Sequence, residues 1–171
     1  MLAVGADFPR RVTSGGGIWV HKDPGHPSPR EVPDTFMTLF DMPEEHSIVI
    51  ASSMANDIGL PEVIRGHEAT LTLTGGGVEI RPQGLFKDEF IARNGSDAIS
   101  FPAQPRDRHM INFLKTVRTR REEDLNCGPD LGYKTMVCIA MSVKAYRENK
   151  VLFWDSEKEE IVEIEPEPSE S

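Results

Sequence analysis

The stretch from His109 to Asp155, HMINFLKTVRTRREEDLNCGPDLGYKTMVCIAMSVKAYRENKVLFWD, predicts two packed helices followed by a strand. In its first part, apolar residues recur at helical spacing, which is typical of an amphipathic helix with one buried stripe. That stripe consists of Met110, Phe113, Leu114 and Val117. We expect Asp107 to be the N-cap residue of this helix, because its side chain can accept hydrogen bonds from the first-turn N–H groups.

The second helix is predicted to begin at Gly128-Pro129-Asp130. Proline suits the first helical position, and the aspartate complements the positive end of the helix dipole. Asn149 can end the helix in a left-handed conformation, and the run from Val151 to Trp154 then predicts a buried strand. The predicted buried face consists of Tyr133, Met136, Val137, Ala140, Met141 and Val143.

The middle of the chain has the strand-length runs of an antiparallel sheet. These runs are Phe36 to Met42, His46 to Met54, Ala69 to Thr74 and Val78 to Arg81. We therefore predict an α+β fold, with a mainly antiparallel sheet, helices packed on one face and the other face open. In the strand that would contain residues 18–21, Ile18 and Val20 should point to the helices, and Trp19 and His21 to the open face.

Several short sequences carry a family resemblance through their order along the chain. They are FPRRVTSGG (8–16), Pro33-Asp34-Thr35, IRGHEATL (64–71) with Gly75-Gly76-Gly77 and Pro82 after it, and the His-x-x-Asn-Phe-Leu and Leu-Phe-Trp-Asp sequences of the first stretch. Together they span about nine tenths of the chain, and their order is more specific than any one of them. The chain thus resembles the C-terminal domain of the glucose-fructose oxidoreductase and inositol dehydrogenase (Gfo/Idh/MocA) family.

This resemblance implies that residues 1–164 form a substrate-binding and oligomerisation domain, and that 165–171 are an acidic disordered tail. A full-length parent would use NAD(P) to oxidise a sugar or cyclitol, and would form homo-oligomers through the open sheet face. This chain lacks the family's N-terminal Rossmann domain, its catalytic lysine segment and its acid-base helix. Gly15–Gly17 and Gly75–Gly77 do not have the Gly-x-Gly-x-x-Gly spacing of a dinucleotide site, so we interpret them as bulge or hairpin glycines. We accordingly expect this chain to bind no cofactor and to be inactive alone.

Two functions from different classes stay open. The chain is either part of an oxidoreductase, including the case of a truncated gene, or a stand-alone binding or assembly module without catalytic chemistry. The formal charge of −9 does not separate them, since the segment from Asp155 to Ser171 contains eight acidic residues and one lysine. The remaining body is nearly neutral, which argues against nucleic-acid binding. No apolar run is long enough for a membrane span, and a cytoplasmic location is the default expectation, with an export signal of the parent left open.

Trp19, His21 and His109 are the candidates for substrate-facing or interface positions, with a subunit contact favoured over a sugar contact for the first two. His21, Asp23 and His26 invite a metal hypothesis, but a solvated loop is the commoner explanation, and we predict no metal site. Cys138 is expected to be a buried thiol and Cys127 a bystander. Pro33-Asp34 should be a turn that starts a strand, because a lone aspartate forms no acid-base pair. No catalytic residue is predicted.

Overall fold

The computed structural model describes residues 5, 7–22, 25, 29–105 and 108–167. In chain order the elements are β1 (Arg11–Gly17), β2 (Thr35–Asp41), β3 (Ser47–Ser53), β4 (Val63–Arg65), β5 (Ala69–Thr74), β6 (Gly77–Pro82), a 3₁₀ turn (Gly84–Phe86), α1 (Lys87–Asn94), β7 (Ile99–Pro102), α2 (Arg108–Thr119), a second 3₁₀ turn (Glu122–Asp124), α3 (Pro129–Glu148), β8 (Leu152–Asp155) and β9 (Glu160–Val162). The α+β class with antiparallel strands is confirmed. The strands form two sheets rather than one, and the chain divides into two compact units.

The first unit comprises residues up to Ile58 and from Cys127 onward. Its antiparallel sheet has the order β3-β2-β1-β8-β9, and α3 packs most closely against β1. Alternation along the strands sends one set of side chains towards α3, where they join the helix in an apolar core. The core residues are Val12, Phe40, Met42, Val137, Cys138, Met141, Ala145, Leu152 and Trp154.

Helix α3 begins and ends as predicted. Pro129 occupies the first helical position after Gly128, and Asn149 adopts a left-handed conformation with φ of 52° at the C-terminus. The predicted buried face was partly wrong. Val137 and Met141 are buried, but the other predicted positions (Tyr133, Met136, Ala140 and Val143) are exposed. The buried face instead continues through Cys138, Ser142 and Ala145, because small side chains let the helix axis approach β1 closely.

The second unit comprises Gly59–Asn126. Its sheet has the order β4-β5-β6-β7, and Gly75 and Gly76 form the turn between β5 and β6, which confirms a hairpin role for these glycines. Thr116 is the only buried residue among 59–105 and 108–126. The predicted burial of the α2 stripe was therefore wrong, since Phe113 is 47% exposed and its three partners in the stripe are similarly open. Within this unit α2 packs chiefly on the 3₁₀ turn Glu122–Asp124, which is too small to cover a helix face.

Three further predictions concern residues outside the described ranges. They are the Asp107 cap, the Asp23 and His26 part of the metal hypothesis, and the end of the acidic tail. Residues 165–167 of that tail have no regular secondary structure. No helix in the described part of the chain is long and apolar enough to cross a membrane.

Candidate functional site

The loop of residues 18–21 follows β1 and carries two of the three predicted site residues. It is organised by Asp34, which lies immediately before β2 and is 1% exposed. The Asp34 carboxylate accepts hydrogen bonds from the backbone N–H groups of Trp19 (3.0 and 3.1 Å), Val20 (2.9 Å) and His21 (2.9 Å). The prediction that Asp34 starts a strand is confirmed. Its second role, holding the preceding loop, was not predicted.

The electrostatics of Asp34 follow from these bonds. The backbone N–H of His21, followed by those of Trp19 and Val20, outweighs the effect of burial and lowers the pKa of Asp34 from 3.8 to about 2. The carboxylate therefore stays ionised at neutral pH and cannot exchange protons with a substrate there. Its chemistry in this position is that of a fixed negative charge which orders backbone donors.

Trp19 is 62% exposed, and its indole lies against Gly17. A Cβ atom on Gly17 would come within 2.2 Å of the Trp19 Nε1 atom, so a side chain at position 17 would displace the ring. Gly17 pairs with Thr35, and alternation assigns both residues to the same face as Met37, which is the face opposite α3. Trp19 thus lies on the open face. The predicted inward position of Val20 was wrong, since residues 18–20 leave the strand and Val20 is exposed.

His21 is exposed, and its Nε2 atom lies 3.3 Å from the carbonyl oxygen of Met54. The backbone N–H of Met54 in turn donates to the carbonyl oxygen of Asp34 at 2.7 Å. Arg30 donates to the carbonyl oxygens of Val32 and Pro33. These bonds join the loop, the residues before β2 and the residue after β3 into one frame. No group of three or more metal-ligating side chains occurs among the residues that the structure describes.

His109 lies in the first turn of α2 and is exposed. It belongs to the second unit, whereas Trp19 and His21 belong to the first. Three residues further along the helix, Asn112 donates from Nδ2 to the Asp124 carbonyl oxygen at 2.8 Å and accepts the Asn126 N–H at 3.0 Å. The asparagine of the His-x-x-Asn sequence therefore braces the segment after α2.

Asp155, the last residue of the Leu-Phe-Trp-Asp sequence, has a similar role at the β8–β9 turn. Its Oδ1 atom accepts the backbone N–H groups of Glu157 and Lys158, and its Oδ2 atom accepts the Lys158 ammonium at 2.8 Å. The Lys158 side chain, with these N–H groups, lowers the pKa of Asp155. Asp34, Asn112 and Asp155 all use side-chain oxygens to hold turns, a role that polar spacing alone does not reveal.

The open face of the sheet in the first unit surrounds Trp19. By alternation this face also includes Met37 and Val49, which are 54% and 69% exposed. Its charged pair is Arg11 and Asp41, joined by a contact of 2.6 Å between Nη2 and Oδ2. The hydroxyl of Ser47, followed by Arg11, lowers the pKa of Asp41. On β1, β2 and β3 this ion pair is thus the only charge that alternation assigns to the open face, and it is neutralised.

The described residues also include two free cysteines and a shallow cavity. Cys138 is buried, as predicted, and burial raises the pKa of its thiol. Cys127 is exposed. A shallow cavity of about 470 Å³ lies beside the C-terminal end of α3 and is lined by Ser14, Gly15, Gly16, Tyr146, Arg147 and Asn149.

The glycine runs do not fit a dinucleotide. Gly15–Gly17 lie inside β1, and Gly75–Gly77 lie at the β5–β6 hairpin, so neither run leads into the N-terminus of a helix. A pyrophosphate site requires that transition, because the backbone N–H groups of the first helical turn bind the phosphates. Neither glycine run therefore has the strand-to-helix transition on which a Gly-x-Gly-x-x-Gly site depends.

Comparison with known proteins identifies solved structures that share this fold. No family model matches the chain, and no curated protein matches it. Solved structures do match, and one is a candidate oxidoreductase from Bacillus subtilis, with a TM-score of 0.59 and 11% identity over 86% of this chain and 46% of that one. An NAD-binding protein from Listeria innocua matches with a TM-score of 0.55 and 15% identity over 85% of this chain and 45% of that one. An oxidoreductase from Agrobacterium radiobacter in complex with NAD⁺, L-tartaric acid and magnesium matches with a TM-score of 0.55 and 12% identity over 85% of this chain and 43% of that one. The chain thus spans less than half the length of each, and shares the fold of that part.

Proposed function

We propose that this chain is the C-terminal, substrate-binding and oligomerisation part of a nicotinamide-dependent oxidoreductase of the Gfo/Idh/MocA type. The proposal rests on the comparison with solved structures. Between 85% and 86% of this chain matches part of an NAD-binding protein and of two oxidoreductases, and that part is less than half the length of each. The order of the short sequences from Phe8 to Asp155 supports the same family. In this proposal the nucleotide-binding half of the parent enzyme lies outside the part that this chain represents.

In this proposal the chain binds and orients a substrate but transfers no hydride. The substrate class is a sugar or cyclitol, which the family resemblance supports. The L-tartaric acid in the Agrobacterium radiobacter structure is also a small polyhydroxylated molecule. Trp19 and His21 are the proposed contact positions in the first unit, and His109 is the candidate in the second. The proposed location is cytoplasmic.

The chain is also proposed to form a homo-oligomer through the open sheet face. Met37 and Val49 are more than half exposed on that face, and the Arg11–Asp41 pair leaves it without net charge in β1 to β3. Exposed apolar patches larger than a few hundred Å² commonly mark interfaces. The exposed apolar residues on this face also favour the second candidate function. In that case the chain is a stand-alone assembly module that has the open sheet but no catalytic chemistry.

Reading the coding DNA upstream of the Met1 codon separates these two functions. An oxidoreductase predicts an in-frame Rossmann sequence within a few hundred bases, with a Gly-x-Gly-x-x-Gly turn between a strand and a helix. A promoter and ribosome-binding site directly before Met1, with no such frame, would instead establish the stand-alone module.

A further inference from the structure

The conformation of residues 18–21 depends on one buried carboxylate rather than on strand pairing. Three consecutive backbone N–H groups donate to Asp34. The main chain of Asp34 is also fixed, because its N–H donates to the Gly17 carbonyl oxygen at 3.0 Å and its carbonyl oxygen accepts from Met54. Hydrogen bonds to an ionised acceptor are stronger than neutral ones. The loop is consequently held in one conformation without a binding partner.

The Trp19 indole lies against Gly17, although most of its surface is exposed. The ring occupies the space that a side chain on Gly17 would need. A backbone segment that already has its bound conformation loses little conformational entropy when it enters an interface. Buried tryptophans are also among the residues that contribute most to the stability of protein interfaces. Trp19 therefore combines a backbone position that Asp34 holds with the exposed surface that an interface anchor needs.

The face around Trp19 is suited to a second copy of the same chain. Across a twofold axis each residue meets the same surface on the partner, so unpaired charge would repel itself. On β1, β2 and β3, alternation assigns only Arg11 and Asp41 as charged residues to this face, and they neutralise each other. The exposed parts of Trp19, Met37 and Val49 amount to a few hundred Å², which suits the apolar centre of an interface of about 800 Å² per partner.

We propose that Asp34 is a positioning residue that presents Trp19 as the anchor of a contact with a second copy of this chain. The inference rests on the self-association in the proposed function and names the residues that control it. Asp34 itself does not touch the partner in this account. It acts through the backbone of residues 19–21.

The test compares three variants of the full chain by sedimentation velocity over a concentration series. Asp34→Asn keeps the size of the side chain but removes its charge. Trp19→Glu places a charge in the contact without altering Asp34. Asp155→Asn is the matched control, because Asp155 is also a buried aspartate that accepts two backbone N–H groups, yet it lies at the β8–β9 turn. β8 pairs with the first two residues of β1, whereas Trp19 follows the last.

The wild-type chain should dimerise, and both Asp34→Asn and Trp19→Glu should raise the dissociation constant by about tenfold or more. Asp155→Asn should leave it within about twofold of the wild type. Iodide quenching of the folded variants reports chiefly on Trp19, since the chain has two tryptophans and Trp154 is buried. Asp34→Asn should change the quenching of the exposed tryptophan, and Asp155→Asn should not.

Three results would overturn the inference in different ways. A clean wild-type monomer at about 100 μM, well above the micromolar range of modest specific contacts, would remove the self-association and the role of Trp19 with it. A dimer of equal strength in the wild type and in Trp19→Glu would leave self-association intact and exclude Trp19 as its anchor. Should Asp34→Asn and Asp155→Asn weaken the dimer equally, Asp34 would have no positioning role. None of these outcomes bears on the oxidoreductase assignment.

Discussion

Two methionines on α3 allow a matched test of how the first unit is packed. Met141 is 0% exposed in the core against the sheet, whereas Met136 is 59% exposed on the opposite side of the same helix. Replacing either residue by alanine changes helix propensity equally, so propensity cancels in the comparison. The difference between the two variants therefore measures packing alone.

The magnitudes follow from burial. Met141→Ala removes a fully buried side chain and leaves a cavity, which costs about 2–5 kcal/mol in protein cores. Complete burial of a methionine contributes about 1.5–3 kcal/mol, and Met136 is only about two fifths buried, so Met136→Ala should cost about 1 kcal/mol or less. We expect the free energies of unfolding of the two variants to differ by about 2 kcal/mol.

Urea titration followed by tryptophan fluorescence is the appropriate assay, because Trp19 and Trp154 both lie in the first unit. With a urea dependence of about 2 kcal/mol per molar, the two midpoints should be separated by about 1 M. Equal midpoints, or a larger loss in Met136→Ala, would refute the assigned phase of α3. Parallel slopes in the two titrations would show that the midpoints compare stability and not a change in the unfolded state.

Three further predictions concern the strand glycines, acid stability and α2. Gly16 has φ of 146°, and a Cβ there would lie 2.0 Å from the Thr35 carbonyl oxygen, so Gly16→Ala should destabilise by about 2 kcal/mol or more in urea titration. A Cβ on Gly15 would have nothing within 4 Å, so Gly15→Ala should cost less than about 1 kcal/mol. Similar losses of stability in the two variants would contradict the close approach of β1 and β2. The depressed pKa of Asp34 contributes stability that is fully present above about pH 4 and is lost as pH falls towards 2. The thermal midpoint of the wild type should therefore fall more steeply over that range than the midpoint of Asp34→Asn. Parallel plots of thermal midpoint against pH for the two proteins would count against the ionised carboxylate. Phe113→Ala should cost about 1 kcal/mol rather than the 3–5 kcal/mol of a buried phenylalanine, because Phe113 is nearly half exposed. If denaturation followed by circular dichroism gave a loss of stability of about 3–5 kcal/mol, the α2 stripe would be covered in solution.

The sequence was most informative where local rules determine structure. The caps of α3 at Pro129 and Asn149 and the strand from Ala69 to Thr74 follow from backbone preferences of individual residues, and all were confirmed. The division into two sheets could not be predicted, because strand alternation does not specify which strands pair. The buried face of α3 was partly missed because small residues, Ser142 and Ala145, determine the closest approach to β1, whereas apolarity points to Tyr133 and Met136.

The site was less predictable than the fold. Trp19 and His21 were predicted to face outward by strand alternation, although residues 18–20 are not in a strand, and Asp34 was interpreted only as a turn that starts a strand. Its contacts to residues 19–21 lie 13 to 15 positions away in sequence, and no spacing rule covers such a loop. Similarly, Asn112 and Asp155 belong to sequences that carry the family resemblance, yet both hold turns in the structure. The resemblance therefore rests largely on residues that stabilise the fold, which is why it identifies a domain more readily than a reaction.

Calorimetric titration of the isolated chain with NADH and NADPH tests most directly the claim that this chain supplies the substrate and assembly part of a nicotinamide enzyme. The chain has no Gly-x-Gly-x-x-Gly turn, and its two triple-glycine runs lie in a strand and at a hairpin. The account predicts no saturable heat at ligand concentrations up to about 1 mM, a range in which dinucleotide sites of micromolar affinity are filled. Saturable one-to-one binding with a micromolar dissociation constant would contradict it, because the chain would then hold the cofactor by itself.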